Sequence, residues 1–115
     1  WLEQIIAILF LDHTRTHMEH LRTSSYAQHK ALQDFYEGVI DLADTLAETY
    51  QGYEGIMKIP MRSDTTTGSM ADHLSKRVLE IQKLRKSCDL SAIQNIIDEI
   101  VGLYLSTVYK LRQLS

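Results

Sequence analysis

Three histidines fall in the stretch "HMEHLRTSSYAQH", His17 to His29, and two acids, Asp44 and Glu48, follow on the next predicted helix. Imidazole and carboxylate without a thiolate suit iron, manganese or zinc held where solvent can reach. His17 and His20 stand one helical turn apart, and Asp44 and Glu48 are spaced i, i+4, so either pair can face one ion. His29 and Asp44 cannot share an ion within one chain, because fifteen residues of helix hold them about 22 Å apart at 1.5 Å per residue. A site using all of them requires two copies of the second helix packed antiparallel, each giving its histidine end to the other's acid end. The competing reading is structural. Histidines near a helix end hydrogen-bond the last carbonyls or solvent, and Asp44 and Glu48 also suit solvated or interface-facing charges. His13 and His73 are expected to be non-ligands.

Four stretches of helical period must position these side chains. In the first, about residues 2–22, Leu2, Ile6, Leu9, His13, His17 and His20 form a band under ~90° wide, aliphatic at its start and histidine at its end. Ser25 with Gln28 reads as a capping box opening the second helix, about 25–50, which stops at Gln51-Gly52. Its expected inner face is His29, Leu32, Gln33, Tyr36, Ile40, Ala43, Asp44 and Ala47, with Glu48 at the edge. Gly52 to Gly68 holds three glycines, Pro60 and a threonine run, with no sustained period. Ser69 with Asp72 caps the third helix, about 69–87, with Leu74, Val78, Ile81 and either Arg85 or Cys88 facing inward. Ser91 with Gln94 caps the fourth, about 91–114, whose stripe is Ile93, Ile96, Ile97, Ile100, Tyr104, Val108 and Leu111. Lys76, Arg77, Lys83, Arg85 and Lys86 on the third helix read as a solvated face and not as a nucleic-acid footprint.

Loop lengths then set the topology. Tight turns make the first two helices antiparallel neighbours, and the last two likewise. The middle segment is long enough to span a whole helix of ~35 Å at ~3.3 Å per residue. Short, long, short is the connectivity of a ferritin-like four-helix bundle, all-α, with a long crossover between helices 2 and 3. An intrachain di-iron version needs Glu-x-x-His on each of two helices, and the third and fourth helices contain none. At 115 residues the chain forms one domain, 1–115, with a modest core. Its net charge of −3 gives no global attraction for nucleic acid or an acidic membrane. The apolar run Ile5 to Leu11 is far shorter than the ~20 residues a bilayer needs, so a soluble, intracellular protein is expected. The single Cys88 excludes an internal disulfide and a cysteine-based zinc finger. Because the chain starts at Trp1, a basic tail preceding it stays open.

The pattern His29-Lys-Ala-Leu-Gln-Asp-Phe-Tyr-Glu, followed by "DLADTLAETYQG", resembles the mini-ferritins, the DNA-binding proteins from starved cells. Those proteins carry a histidine, an aspartate fifteen residues later and a glutamate four beyond, as His29, Asp44 and Glu48 do here. The chain is still more similar to a family of small, mostly uncharacterised proteins of tailed phages and large DNA viruses. The shared hallmark is His-x-x-Thr-x-Ser-Tyr-Ala-x-His, here His20 to His29, with Glu48-Thr-Tyr-Gln-Gly52 and "IQNIIDEIVGLYLSTVYKL" further on. The resemblance implies an iron site formed by a first-helix histidine and His29 of one subunit with Asp44 and Glu48 of its partner. It also implies a homo-oligomer or cage and oxidation of Fe²⁺ by oxygen or peroxide. His20 fits the viral motif as the first ligand, and His17 keeps the mini-ferritin spacing. Gln33 stands where mini-ferritins place an aspartate, a weaker and neutral ligand that would hold a second iron poorly. The alternative expectation is a phage or viral structural or interaction protein that keeps the bundle without catalysis, in the infected cell or the virion.

Overall fold

The computed structural model describes residues 1–64 and 68–114; the threonine run at 65–67 lies outside them. Four helices follow in order: α1 (Leu2–Arg22), α2 (Tyr26–Glu54), α3 (Met70–Leu84) and α4 (Ser91–Gln113), with a 3₁₀ turn at Arg85–Ser87. No strand occurs among the described residues. Ser25 and Ser69 cap α2 and α3 as expected, their hydroxyls accepting from the Gln28 and Asp72 amides at 3.2 and 3.1 Å. The end of α2 differs from the sequence reading. The helix runs through Gly52 to Glu54 and is closed by Gly55, whose φ of 98° suits a residue without a side chain. The cap at Ser91 does not form either: Leu90 is the N-cap and offers no side-chain bond. Carbonyls left over after the 3₁₀ turn need donors, and Gln94 turns back to supply them. Its amide donates to the Arg85 and Cys88 carbonyls (3.1 and 3.0 Å) while accepting from Arg85 Nε (2.6 Å).

α1 packs on α2 and α3, and α4 packs on the same two helices. Trp1 at the start of α1 meets Tyr50 near the end of α2, ring edge to face at 6.2 Å. Arg112 near the end of α4 bonds Asp72 at the start of α3 (2.9 Å). One cleft gathers Glu19, Gln28, Met70 and Leu111, from the end of α1, the starts of α2 and α3, and the end of α4. α2 and α3 therefore run in the same direction, and the connection between them crosses the molecule lengthwise. The long dimension of 43 Å is that of α2 itself, 29 residues at about 1.5 Å each.

Two faces are rotated from the expected positions. The buried stripe of α2 is Leu32, Phe35, Val39, Ala43 and Leu46, while Asp44 and Glu48 are exposed and Gln33, Tyr36 and Ile40 half-buried. α2 must serve α1 on one side and α4 on the other, so its centre falls between them at Phe35, whose ring meets Tyr104 edge-on at 4.9 Å. On α1 the stripe continues from Leu9 through Asp12 and Thr16 to His20, leaving His13 half-buried and His17 exposed.

A locked histidine pair and a buried carboxylate

The α1–α2 corner brings His20 and His29 face to face. Their rings stack with centroids 3.6 Å apart and planes 22° from parallel. Each ring also reaches the other residue's backbone: His20 Nδ1–H donates to the His29 carbonyl at 2.7 Å, and His29 Nδ1–H donates to the His20 carbonyl at 2.9 Å. A carbonyl only accepts, so both Nδ1 atoms carry protons, and in the neutral rings both Nε2 atoms keep lone pairs. The sequence creates this corner by ending α1 at Arg22 and restarting at the Ser25 cap, with Thr23 Oγ1 bonded to Gln28 (3.2 Å). Tyr36 forms the wall beside the pair. It stacks on His17 (4.1 Å, 17°), meets His20 edge-on (5.3 Å), and its carbonyl accepts from His13 Nδ1 (2.9 Å).

The structure thus separates the predicted site residues. His20 and His29 come together. His17 instead lies on Tyr36, with its ring 6.0 Å from that of His20. Asp44 and Glu48 lie further along the same unbroken α2 and point to solvent, so the expected ~22 Å between His29 and Asp44 stands. Gln33 donates its amide to Glu37 (3.0 Å). No group of three or more His, Cys, Asp or Glu side chains able to hold a metal ion occurs among the described residues of one chain. The stacked rings also constrain any ion: each lone pair lies in its own ring plane, and near-parallel rings with centroids 3.6 Å apart aim theirs along separate planes and not at one shared point. As placed, the two imidazoles serve separate ions, or one ion through one ring.

A second polar cluster was not anticipated. Asp12 is 0% exposed, yet its carboxylate accepts from His73 Nε2 (2.8 Å), Arg77 Nε (3.1 and 3.2 Å) and Tyr104 OH (2.7 Å). Arg77, expected on a solvated face, is 5% exposed. Its remaining nitrogens bond Glu80 (3.0 Å) and Asp64, and Arg62 joins Asp64 (3.2 Å) to Glu80 (2.9 Å). A buried carboxylate is tolerable only when its charge and lone pairs are answered, and here three donors from two helices do so. Burial, then the Asp12 charge and hydrogen bond, push the Tyr104 phenol well above its usual value. Burial alone would lower the Arg77 guanidinium, but Asp12 and Asp64 carry it above its ordinary value. One signal was legible in the letters: Asp12 continues the spacing of Leu2, Ile5 and Leu9, and His73 and Arg77 flank Leu74 and Val78 at i, i+4.

Comparison with known proteins adds a family to this geometry. Residues 20–111 match a family of unknown function, DUF5856. The chain is also 31% identical over 114 residues to an uncharacterized 14.6 kDa protein from the mobD-ri intergenic region of Enterobacteria phage T4, covering 95% of this chain and 86% of that protein. No solved structure matches the chain. No helix among the described residues is long and apolar enough to cross a membrane.

Proposed function

The chain belongs to the DUF5856 family, with a relative in a tailed phage, and from its locked histidine pair we propose that it binds iron between two copies of itself. His20 and His29 of one copy each offer an imidazole to an ion of their own, and Asp44 and Glu48 of the second supply carboxylates, in a ferritin-like bundle akin to the mini-ferritins. The same donors suit manganese or zinc. The observation that carries this reading is the reciprocal Nδ1–carbonyl contact. Metal-ligating histidines almost always spend their second ring N–H on a carbonyl or carboxylate, which fixes the tautomer and aims the free lone pair. Here both rings hold that state before any ion arrives.

Two further features support it. The lengthwise crossover matches ferritin-like connectivity. Asp44 and Glu48 are exposed, open to a neighbour. Acting on iron as substrate, such a site takes one electron from each of two Fe²⁺ ions. One peroxide accepts both electrons with two protons and leaves as two waters; oxygen is the other acceptor. His17, stacked on Tyr36, is the second-choice first ligand. Gln33, paired with Glu37, is at most a weak neutral one. The protein would act in the infected host cell or in the virion, without a role in nucleic-acid binding for the described residues.

Mixing variants tests this reading directly. His29→Ala and the double variant Asp44→Asn/Glu48→Gln should each fold with wild-type helicity, lose stoichiometric metal and stop oxidising Fe²⁺. Co-refolding the two should restore part of both properties, because one interface of a mixed dimer regains an intact set. Folded, inert, metal-free wild-type protein would sink the proposal. The second reading, a phage structural or interaction module without catalysis, is favoured by one observation: the middle of the bundle is filled by the Asp12 ionic cluster. On that reading the histidine pair is a corner staple and the same assay comes back empty.

A further inference from the structure

We propose that the crossover segment 56–64 is a latch that lifts from α1 while the four helices stay folded, and that the Asp64–Arg77 contact is its catch. The segment holds few apolar anchors. Met57 and Ile59 are half-buried, whereas Ile56 and Met61 are 90% and 100% exposed. Low apolar burial is the mark of a locally unstable unit. The segment also stands off α1 on both sides of its ionic attachment. On one side a cleft of about 450 Å³ separates Phe10 and Leu11 from Ile59 and Pro60. On the other, a cleft of about 470 Å³ lies between Arg15 and Met18 of α1 and Asp64.

Between the clefts, Arg62 and Asp64 grip Arg77 and Glu80 of α3. Arg77 divides its guanidinium three ways: Nε to Asp12, Nη1 to Glu80 and Nη2 to Asp64. Letting go of Asp64 therefore leaves Arg77 anchored in the core by its other two contacts. The catch can open without exposing the buried carboxylate. Opening widens the first cleft, across which Ala7, Phe10 and Leu11 of α1 face Ile59, Pro60 and Met61.

The charges around Asp64 set the conditions for release. Arg62 faces it along the segment, Arg77 and Glu80 from α3, and Arg15, Glu19 and Arg22 of α1 line the adjoining cleft; Asp12 of α1 and Tyr104 of α4 stand behind Arg77. Burial raises the Asp64 carboxyl, but hydrogen bonds from Arg77 and then Arg62 outweigh it and hold the group below its usual range. A lowered folded value means the catch is whole above about pH 4, the ordinary carboxylate region, and is lost as pH falls through the lower folded value.

Trypsin cleavage after Lys58, which is exposed in the segment, reads the opening in the full-length protein. When opening is fast relative to cleavage, the rate follows the population of the open form. In the wild type, cleavage should depend weakly on urea, because little surface is exposed by a local event. Asp64→Asn should speed it about tenfold or more without moving the urea midpoint of the helices. Leu74→Ala, a core truncation, should instead speed cleavage only as far as it lowers that midpoint. The proposal is overturned if wild-type cleavage shows the full urea dependence of global unfolding. It is equally overturned if Asp64→Asn leaves the rate unchanged, or raises it only in step with lost helical stability.

Discussion

Asp12 shows how much a single side chain can commit in this molecule. The residue is 0% exposed, and the four bonds to its carboxylate come from His73, Arg77 and Tyr104 on α3 and α4. Removing one member of a buried ionic cluster leaves the others desolvated and unanswered, at a cost of about 3–5 kcal/mol. Asp12→Ala should lose that much stability in urea denaturation. Tyr104→Phe removes one hydrogen bond to a charged group, about 1.5–3 kcal/mol, and keeps the edge-on contact with Phe35. The order Asp12→Ala worse than Tyr104→Phe is the expected outcome; the reverse order would mean that the carboxylate is in fact hydrated. The histidines illustrate the other side of the residue scale. His17 and His20 are equivalent by spacing, and only the placement of Tyr36 and His29 distinguishes them: one imidazole stacks on a phenol, the other on its fellow.

At the scale of an element, α2 is defined by its two ends. Ser25 supplies the start, and Gly55, not Gly52, supplies the stop. A φ of 98° with ψ near 179° lies where side chains are strained, at about 1–3 kcal/mol. Gly52 sits inside the helix, and a Cβ there would meet nothing within 4 Å. Alanine at the two positions should therefore act in opposite directions. Gly55→Ala should destabilise, whereas Gly52→Ala should stabilise by up to about 1 kcal/mol, both read from urea midpoints. Destabilisation by Gly52→Ala, with Gly55→Ala neutral, would place the helix end where the sequence alone suggested. The identity of these glycines was legible, but not which one turns, because either residue tolerates the left-handed region and the choice depends on how Gln51 meets the Met57 amide of the crossover (3.2 Å).

For the molecule as a whole, the consequence lies in α2's exposed flank. The proposed site requires α2 to double back on a second copy, so that the histidine pair beside its start meets Asp44 and Glu48 of that copy. Sedimentation equilibrium should give a dimer or a larger even assembly. Reversing charge with Asp44→Lys/Glu48→Lys should shift it toward monomer, with helicity unchanged. A strict monomer at all concentrations would remove the intersubunit site and leave the bundle intact. The ionic crossover latch belongs to the same scale, since it ties the connection to α3 and, through the buried Arg77, to Asp12 of α1.

The amino-acid sequence by itself determined the four helices, two of their three predicted caps and the short–long–short connection, because periodicity, capping chemistry and loop length are local properties of the chain. It also marked His20, His29, Asp44 and Glu48 as residues of interest and showed that one helix cannot bring the last three together. Tertiary structure alone decided which way each helix turned. The apolar stripe of α2 is broad enough to fit two rotations, and contact with α4 chose the one centred on Phe35, which sent the acids outward. It alone, too, placed Asp12 against Arg77 across 65 residues, because a buried charge is stable only where donors distant in sequence converge on it, and nothing in a local pattern names those partners.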